Sequence, residues 1–243
     1  MREISILDKE AIPAALEVLH SKTGVLMLQM PAVYVLLAPA TALGVAKLNS
    51  TKMRLPQKNY GTAIGDLARF HALAAPGSLP QELSTAESLR CLTGAFIRFA
   101  VQQHNFHSPT IRNGTHQGLL VDGPHRMLFK AIEESFASQA EPALFGGHSY
   151  TAPLCTSANL SGDHLGSITD WERAYQFAKE RLMPFVIRCE AQEGEAGSYP
   201  IFHFSQNKAS IERHGPGEDA IARQLPKRLF SKHIWEEDML LAA

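Results

Sequence analysis

Apolar and polar positions along the chain change period several times, and each change marks an element. From Asp8 to Ser21 the apolar positions Ile12, Ala15, Leu16 and Leu19 recur at helical spacing, with Asp8 as the expected N-cap. Val25-Leu26-Met27-Leu28 and Val33-Tyr34-Val35-Leu36-Leu37 are continuous apolar runs of strand length, and Ala40 to Ser50 predicts a helix. Gln29, Pro31 and Pro39 interrupt the long apolar stretch from Val25 to Val45, so it predicts strands, a turn and a helix start rather than a membrane span. Helices are expected over Gly65–Ala74 and Pro80–Arg90, and a strand over Phe99–Val101. Gln102 to Gln117 is polar, with His104, His107 and His116 too irregularly spaced for a metal site, and predicts a surface loop. Gly118–Val121 is a strand, Asp122-Gly123-Pro124 a turn, and His125–Phe136 an amphipathic helix. Thr169 to Leu182 predicts a helix, with Thr169 and Glu172 in the capping-box arrangement. Phe185–Cys189, Tyr199–Phe204 and Ala209–Arg213 predict three strands, the last two as near neighbours.

Two polar stretches interrupt this pattern. Leu154-Cys155-Thr156-Ser157-Ala158-Asn159-Leu160-Ser161-Gly162 runs from an apolar entry into small hydroxyl and amide side chains. It predicts a buried strand opening into a polar loop, and ligands of open α/β sheets bind at strand ends. Thr156, Ser157, Asn159 and Ser161 suit phosphate oxygens or a hydrated Mg²⁺. A plain helix-entry turn uses the same residue types. The second stretch, Thr51 to Tyr60, carries Lys52, Arg54 and Lys58 around Pro56. It is either a solvated loop or an anion clamp.

Composition narrows the classes. The 243 residues are 45% hydrophobic and 19% charged, which fits a soluble globular chain with a sizeable core. A formal net charge of -1 provides no global attraction to nucleic acid or an anionic membrane, so such contacts need a local patch. Cys91, Cys155 and Cys189 form neither a metal pattern nor a disulfide framework; buried free thiols in a reducing cytoplasm are expected. The first residues hold no cleavable apolar core of a signal peptide.

The string Thr156-Ser157-Ala158-Asn159-Leu160-Ser161-Gly162 resembles the signature of the YrdC-like family, the threonylcarbamoyl-adenylate synthases and their relatives. Lys52, Arg54 and Lys58 reproduce the spacing of that family's Lys-x-Arg…Lys loop, although Leu55 stands between the arginine and the proline. The resemblance implies an α/β fold: a twisted open mixed sheet flanked by helices around a concave, positively lined cavity. It covers about Ile12 to Gly217 in order of elements, which implies one domain over 1–217 and a C-terminal helical extension over 218–243 that carries Trp235. It implies ATP with Mg²⁺, L-threonine and bicarbonate as substrates, and threonylcarbamoyl-AMP and pyrophosphate as products, an early step in modifying an adenosine of certain tRNAs. Lys52 and Arg54 would neutralise phosphate or carboxylate charge, Ser157 and Asn159 would bind phosphates or their Mg²⁺ shell, and Arg213, followed by Gly215, would contact the nucleotide.

The chain departs from the family elsewhere. Where members carry Pro-Thr-x-Thr-x-Tyr-Gly-Leu, this chain has Met30-Pro31-Ala32-Val33-Tyr34-Val35-Leu36-Leu37. Val121 stands in place of a strand arginine, whereas His125 fits the histidine of the turn that follows. Tyr199 and Pro200 replace a Ser-Thr pair, and Leu92–Ile97 occupies the place of a family Trp-Pro-Gly-Pro-Leu-Thr turn of which Gly94 remains. Each lost polar partner costs about 1–3 kcal/mol. Two functions therefore stand side by side: a divergent threonylcarbamoyl-adenylate synthase, and a non-catalytic module of the same fold that binds nucleotide or double-stranded RNA.

Overall fold

The computed structural model describes residues 2–22, 24–54, 58–189, 195–206 and 208–230. Pro56 and Trp235 lie outside the described residues. Ten strands form one mixed sheet: β1 (Arg2–Ser5), β2 (Leu26–Gln29), β3 (Tyr34–Ala38), β4 (Gly61–Ala63), β5 (Ala95–Ala100), β6 (Thr115–Leu120), β7 (Leu154–Ser157), β8 (Phe185–Arg188), β9 (Ile201–Ser205) and β10 (Lys208–Arg213). Their spatial order is β1-β8-β2-β3-β7-β4-β6-β5-β9-β10. Pairs β1/β8, β2/β8, β4/β6 and β5/β9 are parallel, and the remaining pairs are antiparallel.

Helices cover both faces. α1 (Ala11–His20) and α4 (Gly123–Ser135) close one face, packing Ala15, Leu19, Phe129 and Ile132 against Leu26, Leu28 and Leu37. α2 (Ala42–Lys52), α3 (Leu67–His71), α5 (Trp171–Glu180) and α6 (Glu218–Ala222) contribute to the core on the other face, with Met27, Leu36 and Ala38. Alternate residues of β2 and β3 therefore enter opposite cores, which explains why both read as unbroken apolar runs. Ile221, Leu225 and Phe230 are buried in the second core, so residues 218–230 pack against the main body. Among the described residues, no helix is long and apolar enough to cross a membrane.

Several local expectations give way. α1 is not capped by Asp8, whose carboxylate accepts from the Ser5 N–H at 3.0 Å; Glu10 occupies the N-cap without a side-chain bond. α5 is capped by Asp170, which accepts from Arg173 N at 2.8 Å, one residue beyond the expected Thr169. Both differences are one- or two-residue shifts of a helix start; at α5 the cap passes to another cap-competent side chain, and at α1 no side chain caps the helix. Pro80–Arg90 forms two short 3-10 turns, Gln81–Leu83 and Glu87–Leu92, rather than a helix. The turn that the resemblance implies over Leu92–Ile97 is confined to its first half: strand β5 begins at Ala95 and pairs with β6 along its length. His116 belongs to β6, not to a surface loop: it is fully buried, bonded to Thr62 Oγ1 and the Thr110 carbonyl at 2.8 Å each. Burial pushes its pKa down to about 4, so the ring is neutral. Cys155 is buried, whereas Cys91 and Cys189 are only half-buried.

Candidate functional site

The sheet face under α1 and α4 is left uncovered where the central strands run past those helices. There Val35 of β3, Cys155 and Ser157 of β7, Gly61 of β4, Gln117 of β6 and Phe96 of β5 form the floor of a cavity of about 220 Å³. Register makes this floor. Val35 lies opposite Ser157, Gly61 opposite Cys155, and Phe96 opposite Leu119 one pleat from Gln117. A one-residue slip would turn each of these side chains to the other face. Gly61 is required: a Cβ there would lie 2.8 Å from Phe96 Cε1 and 3.0 Å from the Gln117 side chain and carbonyl.

Arg54, Lys58, Thr156 and Arg213 complete the walls. α2 ends at Met53, whose left-handed backbone (φ 48°) lets its own N–H and the next return to the Asn49 and Ser50 carbonyls. That reversal aims Arg54 into the cavity. Its guanidinium donates to the Asn59 carbonyl at 2.6 Å and to Thr156 Oγ1 at 3.3 Å, and lies 4.2 Å over the Tyr60 ring. Tyr60 is itself anchored by its hydroxyl to Asn49 Oδ1 at 2.8 Å. Arg213 is held by two bonds to the Tyr199 carbonyl, at 2.9 and 2.6 Å, with Phe96 beneath it. Lys58 is exposed at the rim.

The remaining candidates form a separate layer. Lys52 is only 2% exposed and does not line the cavity. Its ammonium donates to the Ser157 carbonyl and, at 3.0 Å, to Asn159 Oδ1. Ser157 Oγ donates to the same Oδ1 at 2.7 Å, and Asn159 Nδ2 donates to the Leu160 carbonyl at 2.8 Å. The Ser161 N–H donates to the Lys52 carbonyl at 2.9 Å, while Ser161 Oγ is buried without a partner among the described residues. Lys52 thus ties the C-terminus of α2 to the turn after β7.

Electrostatics separate the two layers further. Burial, then the neighbouring Arg54 and Lys58 charges, lower the Lys52 pKa to about 7. Burial also lowers Arg54 and Arg213, and pushes the Cys155 thiol up to about 12, which keeps it protonated and unreactive. None of the described cavity-lining residues is a carboxylate. Among the described residues no group of three His, Cys, Asp or Glu could hold a metal. The oxygens of Ser157 and Asn159 are already engaged with each other and with Lys52, so they do not offer a ready protein-held Mg²⁺ site.

The cavity continues beyond Arg54 and Lys58. A space of about 200 Å³ adds Arg98 and Arg112, and a groove of about 740 Å³ adds His107 and Asn113. Sequence reasoning missed Arg98 and Arg112. Strand alternation carries the signal for Arg98, which shares a face with Phe96 two residues earlier.

No protein-family model and no curated protein sequence matches the chain. Solved structures do. Two structures of P. abyssi Sua5, one complexed with L-threonine, superpose with a TM-score of 0.64 at 15% identity, over 95–96% of this chain and 63–66% of theirs. This chain thus spans just under two thirds of Sua5. E. coli YciO superposes with a TM-score of 0.57 at 12% identity, over 88% of this chain and 93% of its own. A full-length HypF in a phosphate- and nucleotide-bound form superposes with a TM-score of 0.57 at 15% identity, over 85% of this chain and 29% of that one. The chain has the YrdC-like fold that its two short motifs resemble.

Proposed function

We propose that this protein is an ATP-using, adenylate-forming enzyme of the threonylcarbamoyl-adenylate synthase type. The observation that carries the reading is the convergence of Arg54, Lys58 and Arg213 on one cavity that no described carboxylate lines. Three uncompensated cations over a hydroxyl-bearing strand end suit a polyphosphate. The Sua5 structure with L-threonine and the nucleotide-bound HypF structure are consistent with amino-acid and nucleotide ligands on this fold.

In this mechanism the threonine amine condenses with bicarbonate, releasing water and forming a carbamate. A carbamate oxygen attacks the α-phosphorus of ATP, the bond from that phosphorus to the β-bridging oxygen breaks, and pyrophosphate leaves. Mg²⁺ enters with ATP as part of the substrate. Negative charge grows on the leaving group, where Arg54 and Lys58 stabilise it. Arg213 holds the nucleotide, and Thr156 and Ser157 line the phosphate path. Lys52 and Asn159 keep the 157–161 turn in shape, with Ser161 anchored to the Lys52 carbonyl. No side-chain nucleophile is needed, in keeping with a protonated Cys155; positioning and charge do the work. The mixed anhydride product is an activated donor, and a tRNA adenosine is its acceptor.

One observation favours a second reading. Val33 and Val35 line the cavity where the resemblance expects the polar threonine-binding segment. A module that kept its cations and lost its amino-acid contacts would bind nucleotide or double-stranded RNA without chemistry. Pyrophosphate release from ATP and Mg²⁺, with bicarbonate and L-threonine omitted in turn, separates the two. Release that requires both establishes the enzyme; ATP binding without release establishes the module.

A further inference from the structure

Away from the cavity, the molecule buries one carboxylate that the proposed reaction does not use. Glu133 of α4 is 1% exposed. Arg126, Lys130 and Glu133 share one face of α4, at helical spacing, against the connection from β4 to α3. Arg126 donates to the Gly65 carbonyl at 3.3 Å. Gly65 rests on the α4 backbone itself: a Cβ there would lie 2.3 Å from Lys130 Cα. Glu133 Oε2 accepts from the Asp66 N–H at 3.2 Å. Behind it, Thr151 Oγ1 donates to the Glu133 carbonyl at 2.7 Å. β4 starts at Gly61 in the cavity floor, so this joint holds the far end of a strand that builds the site.

The other carboxylate oxygen is poorly served. Glu133 Oε1 is buried and accepts no hydrogen bond among the described residues; Arg69 Nη1 stands 3.5 Å away, on a side chain 48% exposed. An ionised carboxylate in such a place needs about two or three donors, whereas a protonated one is satisfied by far less. From α3 and its N-cap, Arg69 and Asp66 face it; Asp66 lies 3.8 Å from Arg69 and already accepts from the Ala68 and Arg69 N–H groups. His71 of α3 is bonded to the Leu83 carbonyl at 3.1 Å. From the segment before β7 comes buried Tyr150, its hydroxyl 3.5 Å from Thr62 Oγ1, to which His116 is also bonded. On α4, Lys130 pairs with Glu134 at 3.8 Å and Arg126 with Asp122 at 3.5 Å. Burial outweighs Arg69 and the Asp66 N–H and raises the Glu133 pKa to about 7. Burial also keeps the Tyr150 hydroxyl protonated and the His116 ring neutral.

We propose that Glu133 is a pH-operated latch: protonated, it clamps the β4–α3 connection to α4, and ionised, it releases α3. The latch does not depend on the adenylate-forming reading. The closed joint keeps a proton that the open joint, with its carboxyl in water, gives up in the ordinary carboxylate range. The joint is therefore firm below about 4.5 and weakens as pH rises to about 7, above which the loss is complete.

The test is amide hydrogen exchange of the full chain, expressed as protection relative to each amide's intrinsic rate at the same pH. Phe70 and Ala72 donate to the Asp66 and Ala68 carbonyls of α3. Their protection should fall more than about tenfold between about pH 5 and about pH 7.5, and should stay below that of Leu36 in central strand β3 throughout. Glu133→Gln keeps an acceptor for the Asp66 N–H and cannot ionise, so its protection should be flat over that range. Arg69→Met removes the cation that favours the charged form and should raise the pH at which the fall ends by about half a unit or more. Arg69 lies at the surface, so this variant should fold even if Glu133→Gln does not. No fall in the wild type, an equal fall in Glu133→Gln, or an unmoved end point in Arg69→Met would each overturn the latch. Equal protection of α3 and Leu36 would mark global unfolding and overturn it as well.

Discussion

Lys52, the last residue of α2, and Lys58, six positions on, have opposite environments. Lys52 is buried to 2% exposure between the Ser157 carbonyl and Asn159 Oδ1, so its donors serve the protein. Lys58 is exposed at the junction of three cavities, among cations and without a carboxylate in their described linings. The contrast divides the polar motif into a strut and a cavity wall. An ammonium can do one of these things well: enclosed by protein acceptors it fixes a turn, and at a wet rim it meets an anion.

The largest effect that sharpens this contrast is on stability against pH. Lys52 has a folded pKa near 7, below its unfolded value, so between these values the unfolded chain binds more protons. Stability should therefore rise as pH increases from about 7 to about 10, by on the order of 3 kcal/mol. Lys52→Met should lose that gain in chemical denaturation at several pH values, and Lys58→Met should keep it. Identical slopes in all three proteins would erase the distinction.

Next in size is the wall itself. Arg54→Ala removes the guanidinium that borders all three cavities and should weaken a non-hydrolysable ATP analogue about 30-fold by calorimetry. An unchanged affinity would detach nucleotide binding from this cavity. Asn159→Ala takes one acceptor from Lys52 and one from Ser157 Oγ, and should lower stability by about 1–2 kcal/mol in denaturant unfolding. A variant as stable as wild type would make the strut dispensable. The smallest effect is expected from Lys58→Ala: about a threefold loss of analogue affinity at low salt that shrinks as salt is raised, because an exposed charge is screened. A loss that ignores salt would place Lys58 in a more enclosed site than its exposure indicates.

Much of the architecture was legible before any coordinates. The runs at 25–28 and 33–37 are apolar on both faces because both faces of β2 and β3 are covered, and period alone reveals that. The short strings around Lys52 and Asn159 pointed to the fold by resemblance, and the structure ties their side chains to one another within hydrogen-bond distance. Helix ends were less legible. Asp8 and Thr169 have cap chemistry, but Glu10 and Asp170 occupy the N-cap positions, and only Asp170 caps with its side chain. His116 looked like one of three loop histidines, and only pairing with β4 and β5 buries it.

By itself, the order of residues determined an α/β pattern, two buried strand runs near its start, and two polar stretches of the residue types that suit an anion. Local spacing and side-chain chemistry carry that information. Tertiary structure alone decided which cations reach a cavity. Lys52 and Asn159 are 107 residues apart, and Arg98 meets Glu212 across three strands, β5, β9 and β10. Whether such a charge faces a carbonyl, a carboxylate or open space depends on strand order and register, which bring together residues no local window contains.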